Sequence, residues 1–258
     1  MTGSVVERQL RSWRTEAPEG LRSRVLTETG LVDGWTRFES AVGALFIAHN
    51  PEGISAVAPA EDIEAFRRIH SLRTGRSLGA ETELAARVEA ALGRTLSSGR
   101  LGRLPVDLRG LTEFQRAVLL KTAEIPPAEM RPYGWIAREI GRAGAVRAVG
   151  SALNKNPVPV LIPCHRVGRS DGTVGEYAFG EAMKRALLRA EGADPERLDA
   201  LAADGVRFSG SDTTHIYCLP TCRHARRTTQ RHRVHFASTR DATAAGYRPC
   251  KVCRPAAA

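Results

Sequence analysis

The sequence predicts a chain in three parts: a small α/β N-terminal domain, a mostly α domain with a helix-turn-helix, and a small four-cysteine α+β domain at the C-terminus. Three observations predict it. Apolar runs flank the turn-like Asn50-Pro51-Glu52-Gly53, a hairpin signature. Helical patterning dominates residues 106–195 around one apolar run, Val158-Pro159-Val160-Leu161-Ile162. Four of the five cysteines lie beyond residue 217, in two close pairs. The expected boundaries are a helical extension over 1–30, the α/β domain over 31–105, the helical domain over 106–195, a linker over 196–212 and the cysteine domain over 213–258.

In chain order, residues 5–28 pattern as one or two amphipathic helices broken near Pro18-Glu19-Gly20. Phe38–Ile47 and Gly53–Val57 form the expected hairpin, and helical periodicity resumes at Glu61–Arg73 and Glu81–Leu92. His49 and His70 read as surface or packing histidines. Thr112 is a plausible N-cap for a helix with Phe114, Val118 and Ile125 on one face, and Pro126-Pro127 breaks the chain after it. Two short helices follow, Tyr133–Ile140 stopped by Gly141 and Gly144–Leu153, which matches a helix-turn-helix. Gly and Ala dominate the second, whose backbone can approach a partner closely. Tight helix packing would use small residues equally well. Arg147, its only charge, favours nucleic acid, because a lone arginine buried in a core is costly.

The net charge is +10, and residues 205–258 carry ten Lys/Arg against two Asp. That footprint suits a polyanion, although a solubilising tail would share it. No apolar stretch approaches the ~20 residues of a membrane span. With no signal-peptide core at the N-terminus, a cytoplasmic location is expected. There, clustered cysteines point to metal or catalysis rather than disulfides.

The apolar run, read as a short buried strand, delivers Pro163-Cys164-His165-Arg166 to the edge of a core. A nucleophilic thiolate needs a nearby base or cation. Adjacent strand residues point apart, so Cys164–His165 cooperation requires a turn or a bridging water. A lone buried cysteine is otherwise an inert small hydrophobe. A thiol hydrolase is the active rival, but no distant partner histidine stands out.

Asn156–Val167, with Pro-Cys-His-Arg-Val at its centre, resembles the active-site signature of the O6-alkylguanine-DNA alkyltransferases. The likeness extends through Gly175-Glu176-Tyr177, Gly180, Lys184, Leu187-Leu188 and Glu191, and upstream through Val106–Gly110, Phe114-Gln115, Tyr133 and Arg147–Val149. The resemblance implies DNA repair by stoichiometric transfer of an alkyl group from guanine O6, or thymine O4, to Cys164, used once. It implies His165 as a base acting through water, held by Glu191, with Asn156 in the same network. Tyr133 would drive the nucleotide from the stack and Arg147 would fill the gap. Tyr177 and Pro159 would line the base pocket, and backbone groups of Cys164, Val167 and Ala178 would hydrogen-bond the flipped base. The implied partner is double-stranded DNA containing alkylated guanine, bound by a monomer with no membrane association. Pro132 stands where the family usually has Ser or Thr, Ala128 replaces a common turn glycine, and Ala178 a frequent serine.

Cys218-Leu-Pro-Thr-Cys222 and Cys250-Lys-Val-Cys253 have zinc spacing across 27 intervening residues. One Zn²⁺ held by Cys218, Cys222, Cys250 and Cys253 would staple a segment too poor in large apolar groups to fold alone. A redox pair or an iron–sulfur site is the alternative. Ile216–Arg223, Val234-His235-Phe236 and Ala244–Pro255 resemble the methylphosphotriester-repair domain of Ada-type adaptive-response proteins. That likeness makes Cys218 a candidate second methyl acceptor as well as a zinc ligand, though Leu219 stands where that family often has arginine. A methylation-responsive transcriptional regulator is the alternative function. It is disfavoured because the zinc segment comes last here and leaves no room for the AraC-like helix-turn-helix pair that follows it in those regulators.

Overall fold

The computed structural model describes Pro18, residues 20–40 and residues 42–255. Of the expected N-terminal helices, α1 (Leu21–Glu28) is seen, and the remainder of that expectation lies outside the described residues.

Four strands form the first sheet: β1 (Asp33–Ser40), β2 (Gly43–Asn50), β3 (Gly53–Ala58) and β4 (Leu78–Glu81), in the order β3-β2-β1-β4. The β2–β3 hairpin turns where the sequence placed it, pairing Asn50 with Gly53. Gly53 is required there: its φ is 135°, and a Cβ would lie 2.4 Å from the Pro105 carbonyl. Helix α2 (Ile63–Thr74) is capped by the Asp62 side chain and packs on β3. The expected helix over 81–92 begins later, as α3 (Ala86–Ser98). Leu78–Glu81 instead pairs parallel with β1, an override of local pattern by sheet pairing. His70 is fully buried and bonds Asp33 at 2.8 Å. Burial would raise the Asp33 carboxyl, but hydrogen bonds from His70, Ser55, Asn50 and Arg76 hold it down to about 2.

Thr112 caps α4 (Glu113–Ala123) in a reciprocal capping box with Gln115. Strand β5 (Arg131–Pro132) leads directly into α5 (Tyr133–Glu139), and α6 (Val146–Asn154) completes the helix-turn-helix. A single core joins the first sheet to these helices. Leu45, Ile47, Ile54 and Val57 pack with Val118, Leu119, Trp135, Val149 and Cys164. Truncating one such buried leucine to alanine costs about 2–5 kcal/mol.

The expected strand Val158–Ile162 is instead a closed buried turn with one isolated bridge, Pro159 to Ile162. Pro159 and Pro163 have no N–H for a ladder, so Asn156 organises the segment. Its Oδ1 accepts from Val158 N–H, and its Nδ2 donates to the Ile162 carbonyl at 3.0 Å. Val160 within the turn has φ 73°, a strained conformation for a β-branched residue. A one-turn 3₁₀ helix then carries Cys164–Arg166 into β6 (Val167–Gly168), which pairs parallel with β5.

After α7 (Glu181–Ala190), the expected linker contains α8 (Pro195–Ala203) and β7 (Phe208–Ser211). Asp194 as N-cap, with Pro195 at the first turn, is the start signal that the linker reading passed over. β7 joins β8 (Ile216–Cys218), β9 (Arg233–Phe236) and β10 (Arg248–Pro249) in a second sheet, ordered β10-β8-β7-β9, flanked by α9 (Arg223–Arg227) and α10 (Thr239–Ala244).

Candidate alkyl-acceptor and zinc sites

Cys164 lies at the end of a cleft of about 360 Å³ lined by Tyr133, Gly150, Ser151, Glu176, Tyr177 and Ala178, among others. Its thiol is nearly buried, at 8% exposure. Asn156 Nδ2 donates to Sγ at 3.2 Å, and the thiol points at the Tyr177 hydroxyl 4.0 Å away. Burial pushes the thiol above its ordinary pKa, while Asn156, Tyr177, Arg73 and Lys184 pull the other way. Cys164 therefore rests as a thiol and must give up a proton before it can react.

His165 faces away from solvent and bonds Glu191 Oε1 through Nε2 at 2.7 Å. Burial would raise the Glu191 carboxyl, but His165 and Arg166 outweigh it and hold the group down to about 2. Glu191 is thus an anion at neutral pH. Burial keeps His165 neutral by lowering its pKa, against the pull of Glu191. A neutral imidazole facing a carboxylate puts its proton on Nε2. Nδ1 is left as the acceptor, and it has no hydrogen-bond partner among the described residues.

Of the residues expected here, the structure brings together Cys164, His165, Glu191, Asn156, Tyr133, Tyr177 and Ala178. Three sit differently. Pro159 is buried in the Asn156-centred turn. The Val167 carbonyl accepts from Lys184 Nζ at 2.7 Å and its N–H bonds the Cys164 carbonyl. Arg147 is exposed on α6 and not buried as the sequence suggested, so burial demands no partner for its charge. Its guanidinium makes no ion pair among the described residues.

Sequence reasoning counted Arg166 and Lys184 in the matching motifs without giving either a role, and missed Arg73. Arg166, 1% exposed, bonds Glu191, the Ile125 carbonyl and the Gly99 carbonyl. Lys184 is equally buried and ties Val167 to Glu176, and burial lowers its pKa to about 8. Arg73 reaches from α2 to the Asn156 carbonyl and stacks over Phe179. The Cys-His-Arg triplet was a signal for Arg166; nothing local marked Arg73, which arrives through tertiary packing.

The second site consists of Cys218, Cys222, Cys250 and Cys253, all buried, with their sulfurs within 4.8 Å of one another. A tetrahedral zinc with Zn–S of about 2.3 Å needs sulfurs about 3.8 Å apart, which this cluster fits. The Leu219 and Val252 N–H groups donate to Cys253 and Cys250 sulfur, as metal thiolates require. These residues form a four-cysteine zinc site.

The site thus sets a buried cysteine, with a neighbouring histidine held by a carboxylate, beside a helix-turn-helix. The family described as "6-O-methylguanine DNA methyltransferase, DNA binding domain" matches residues 113–193, and "Metal binding domain of Ada" matches residues 198–256. A methylated-DNA–protein-cysteine methyltransferase of Methanosarcina acetivorans is 35% identical over 155 residues, covering 60% of this chain and 96% of that protein. The bifunctional transcriptional activator/DNA repair enzyme Ada of Escherichia coli is 46% identical over 94 residues, 36% of this chain but only 26% of Ada. The solved O6-methylguanine methyltransferase of Mycobacterium tuberculosis superposes with a TM-score of 0.51 at 29% identity, covering 66% of this chain and 99% of that one. The chain belongs to the methylated-DNA–protein-cysteine methyltransferase family.

Proposed function

We propose that this protein repairs alkylated DNA as a cytoplasmic monomer, moving a methyl or other alkyl group irreversibly from guanine O6 in a duplex to Cys164. The observation that carries this reading is the linked set Cys164–Asn156 and His165–Glu191 at the end of a cleft beside the helix-turn-helix. No helix among the described residues is long and apolar enough to cross a membrane.

The steps join this geometry to the residue roles that the family resemblance implies. Guanine O6 is inaccessible within a duplex, so the nucleotide must leave the stack, at a cost of roughly a few kcal/mol. Tyr133, at the first position of α5, crowds the backbone at the mouth of the cleft, and exposed Arg147 fills the vacated space. Tyr177 and Ala178 border the extruded base. His165 Nδ1 takes the thiol proton through a water molecule, and Glu191 stabilises the imidazolium that results. The sulfur attacks the alkyl carbon, an S–C bond forms, and the C–O bond breaks with its electron pair moving onto guanine. Guanine regains a proton, so the net exchange is the thiol hydrogen for the alkyl group. The thioether product is a very poor leaving group, and one molecule performs one repair.

Cys218, Cys222, Cys250 and Cys253 would hold the zinc, which when bound would keep their sulfurs as thiolates at neutral pH. Cys218 borders a second cleft with His224 and with Arg248 and Lys251, two cations suited to a backbone phosphate. This favours a second activity, acceptance of methyl from phosphotriesters at Cys218. The partition into an N-terminal part, the Cys164 part and the zinc module belongs to the same reading.

A duplex carrying radiolabelled methyl on guanine O6, followed by peptide mapping, tests it. One label per chain on Cys164 is expected. Repeated turnover, or no transfer, overturns it.

A further inference from the structure

The zinc module touches the rest of the chain at a particular place. Thr221, between zinc ligands Cys218 and Cys222, faces Met130, three residues before Tyr133. Its hydroxyl accepts from Met130 N–H at 2.9 Å and donates to the Met130 carbonyl at 3.2 Å, in a buried contact. Next to it, Arg223 N–H donates to Glu129, which pairs at 2.5 Å with Arg131; both side chains are nearly inaccessible. The Arg131 guanidinium lies over Trp135, whose indole N–H donates to the Cys253 carbonyl at 2.9 Å. Arg138 reaches the Arg254 carbonyl, and Arg254 pairs with Glu139. Zinc ligands or their immediate neighbours thus grip both ends of the segment that presents Tyr133.

Upstream of α5, that segment has little regular backbone pairing of its own. β5 is two residues long and pairs only with the two residues of β6. Pro132 gives α5 no side-chain cap, and Ala128 at its upstream end sits at φ 59°. A short strand and an uncapped helix start do not fix a side chain that must press on DNA.

We propose that Thr221 is a positioning residue for DNA repair at Cys164: the zinc-stapled turn clamps Met130 and thereby holds Tyr133 in place for nucleotide extrusion. The inference rests on the reading of Cys164 as the acceptor. It makes the zinc module a structural part of the base-flipping apparatus, whether or not Cys218 accepts methyl groups.

Thr221→Val keeps the shape and removes the hydroxyl; Thr221→Ser keeps the hydroxyl. Single-turnover label transfer to Cys164 is measured from a duplex and from a single strand carrying the same O6-methylguanine, the second needing far less extrusion. Zinc content and Met130 amide exchange are measured alongside. Loss of a buried two-way hydrogen bond is expected to slow duplex transfer about tenfold in Thr221→Val, with less than about a twofold change on the single strand. Zinc stays at one per chain, Met130 exchanges faster, and Thr221→Ser restores the duplex rate. Unchanged duplex transfer, equal slowing on both substrates, or slowing that tracks lost zinc overturns the proposal. Failure of the wild type to label Cys164 at all refutes the acceptor reading instead, and Met130 exchange still reports on the clamp.

Discussion

His165 and Glu191 are joined at 2.7 Å through Nε2, and that one bond decides which histidine nitrogen can take a proton. With Glu191 anionic, Nδ1 is the nitrogen left open to accept a proton. Because the same carboxylate also bonds Arg166 and the Ala128 N–H, its loss is felt in both chemistry and fold.

Glu191→Gln is expected to slow transfer about 100-fold or more, since positioned proton transfer contributes about 10²- to 10⁴-fold. It also leaves Arg166 buried without its anion, costing about 3–5 kcal/mol. A carboxyl held at about 2 stabilises the fold above its unfolded pKa of about 4.3, and that stability is lost as pH falls toward 2. Denaturant unfolding at pH 7 and pH 3 should therefore show a larger acid loss in wild type than in Glu191→Gln.

Burial raises the Cys164 thiol and lowers His165. Iodoacetamide should modify Cys164 more slowly than a free thiol at pH 8, with a midpoint above the ordinary value of about 8.5. Asn156→Ala, which removes the donor to sulfur, should move that midpoint higher. The acid limb of methyl transfer should lie below about pH 6.5, the ordinary histidine value. A limb above it would contradict a buried neutral base.

Ala128 occupies the left-handed region at φ 59°. Ala128→Gly should stabilise the protein by about 0.5–1 kcal/mol, the left-handed strain relieved less the added chain entropy. A thermal melt showing destabilisation would mean that the Ala128 methyl group contributes more than the strain costs.

Arg147 is exposed on α6. Arg147→Ala should leave the unfolding free energy within about 0.5 kcal/mol, as for other surface changes. It should nevertheless reduce duplex repair and weaken DNA binding. A stability loss without a repair defect would remove Arg147 from the DNA interface.

Elemental analysis should find one zinc per chain. Any of the four cysteines changed to serine should lower that stoichiometry, and chelation should expose the second sheet to proteolysis, since metal binding is folding energy in so small a module. An intact module without metal would assign its stability to Phe208, Tyr217, Phe236 and Tyr247 alone.

Local signals were legible where chemistry is local. Asn50–Gly53 announced its turn, Thr112 its helix, and the cysteine spacing its metal. The Val158–Ile162 run misled because apolar content describes burial, not pairing. Two prolines and the Asn156 side chain turned it into a closed loop, and that is what aims Asn156 at Cys164. The linker reading failed for a related reason: α8 and β7 are short, and their apolar faces are defined by what they pack against.

The sequence by itself marked Cys164 with His165, the helix-turn-helix and the four zinc ligands, which rest on residue type and short spacing, whereas Glu191 entered only through the family resemblance. Only the tertiary structure decided the proton's tautomer, the burial of Arg166 and Lys184, the reach of Arg73 and the docking of the zinc module under Tyr133. Those depend on contacts between segments as much as 118 residues apart, such as Trp135 and Cys253, which no local pattern encodes.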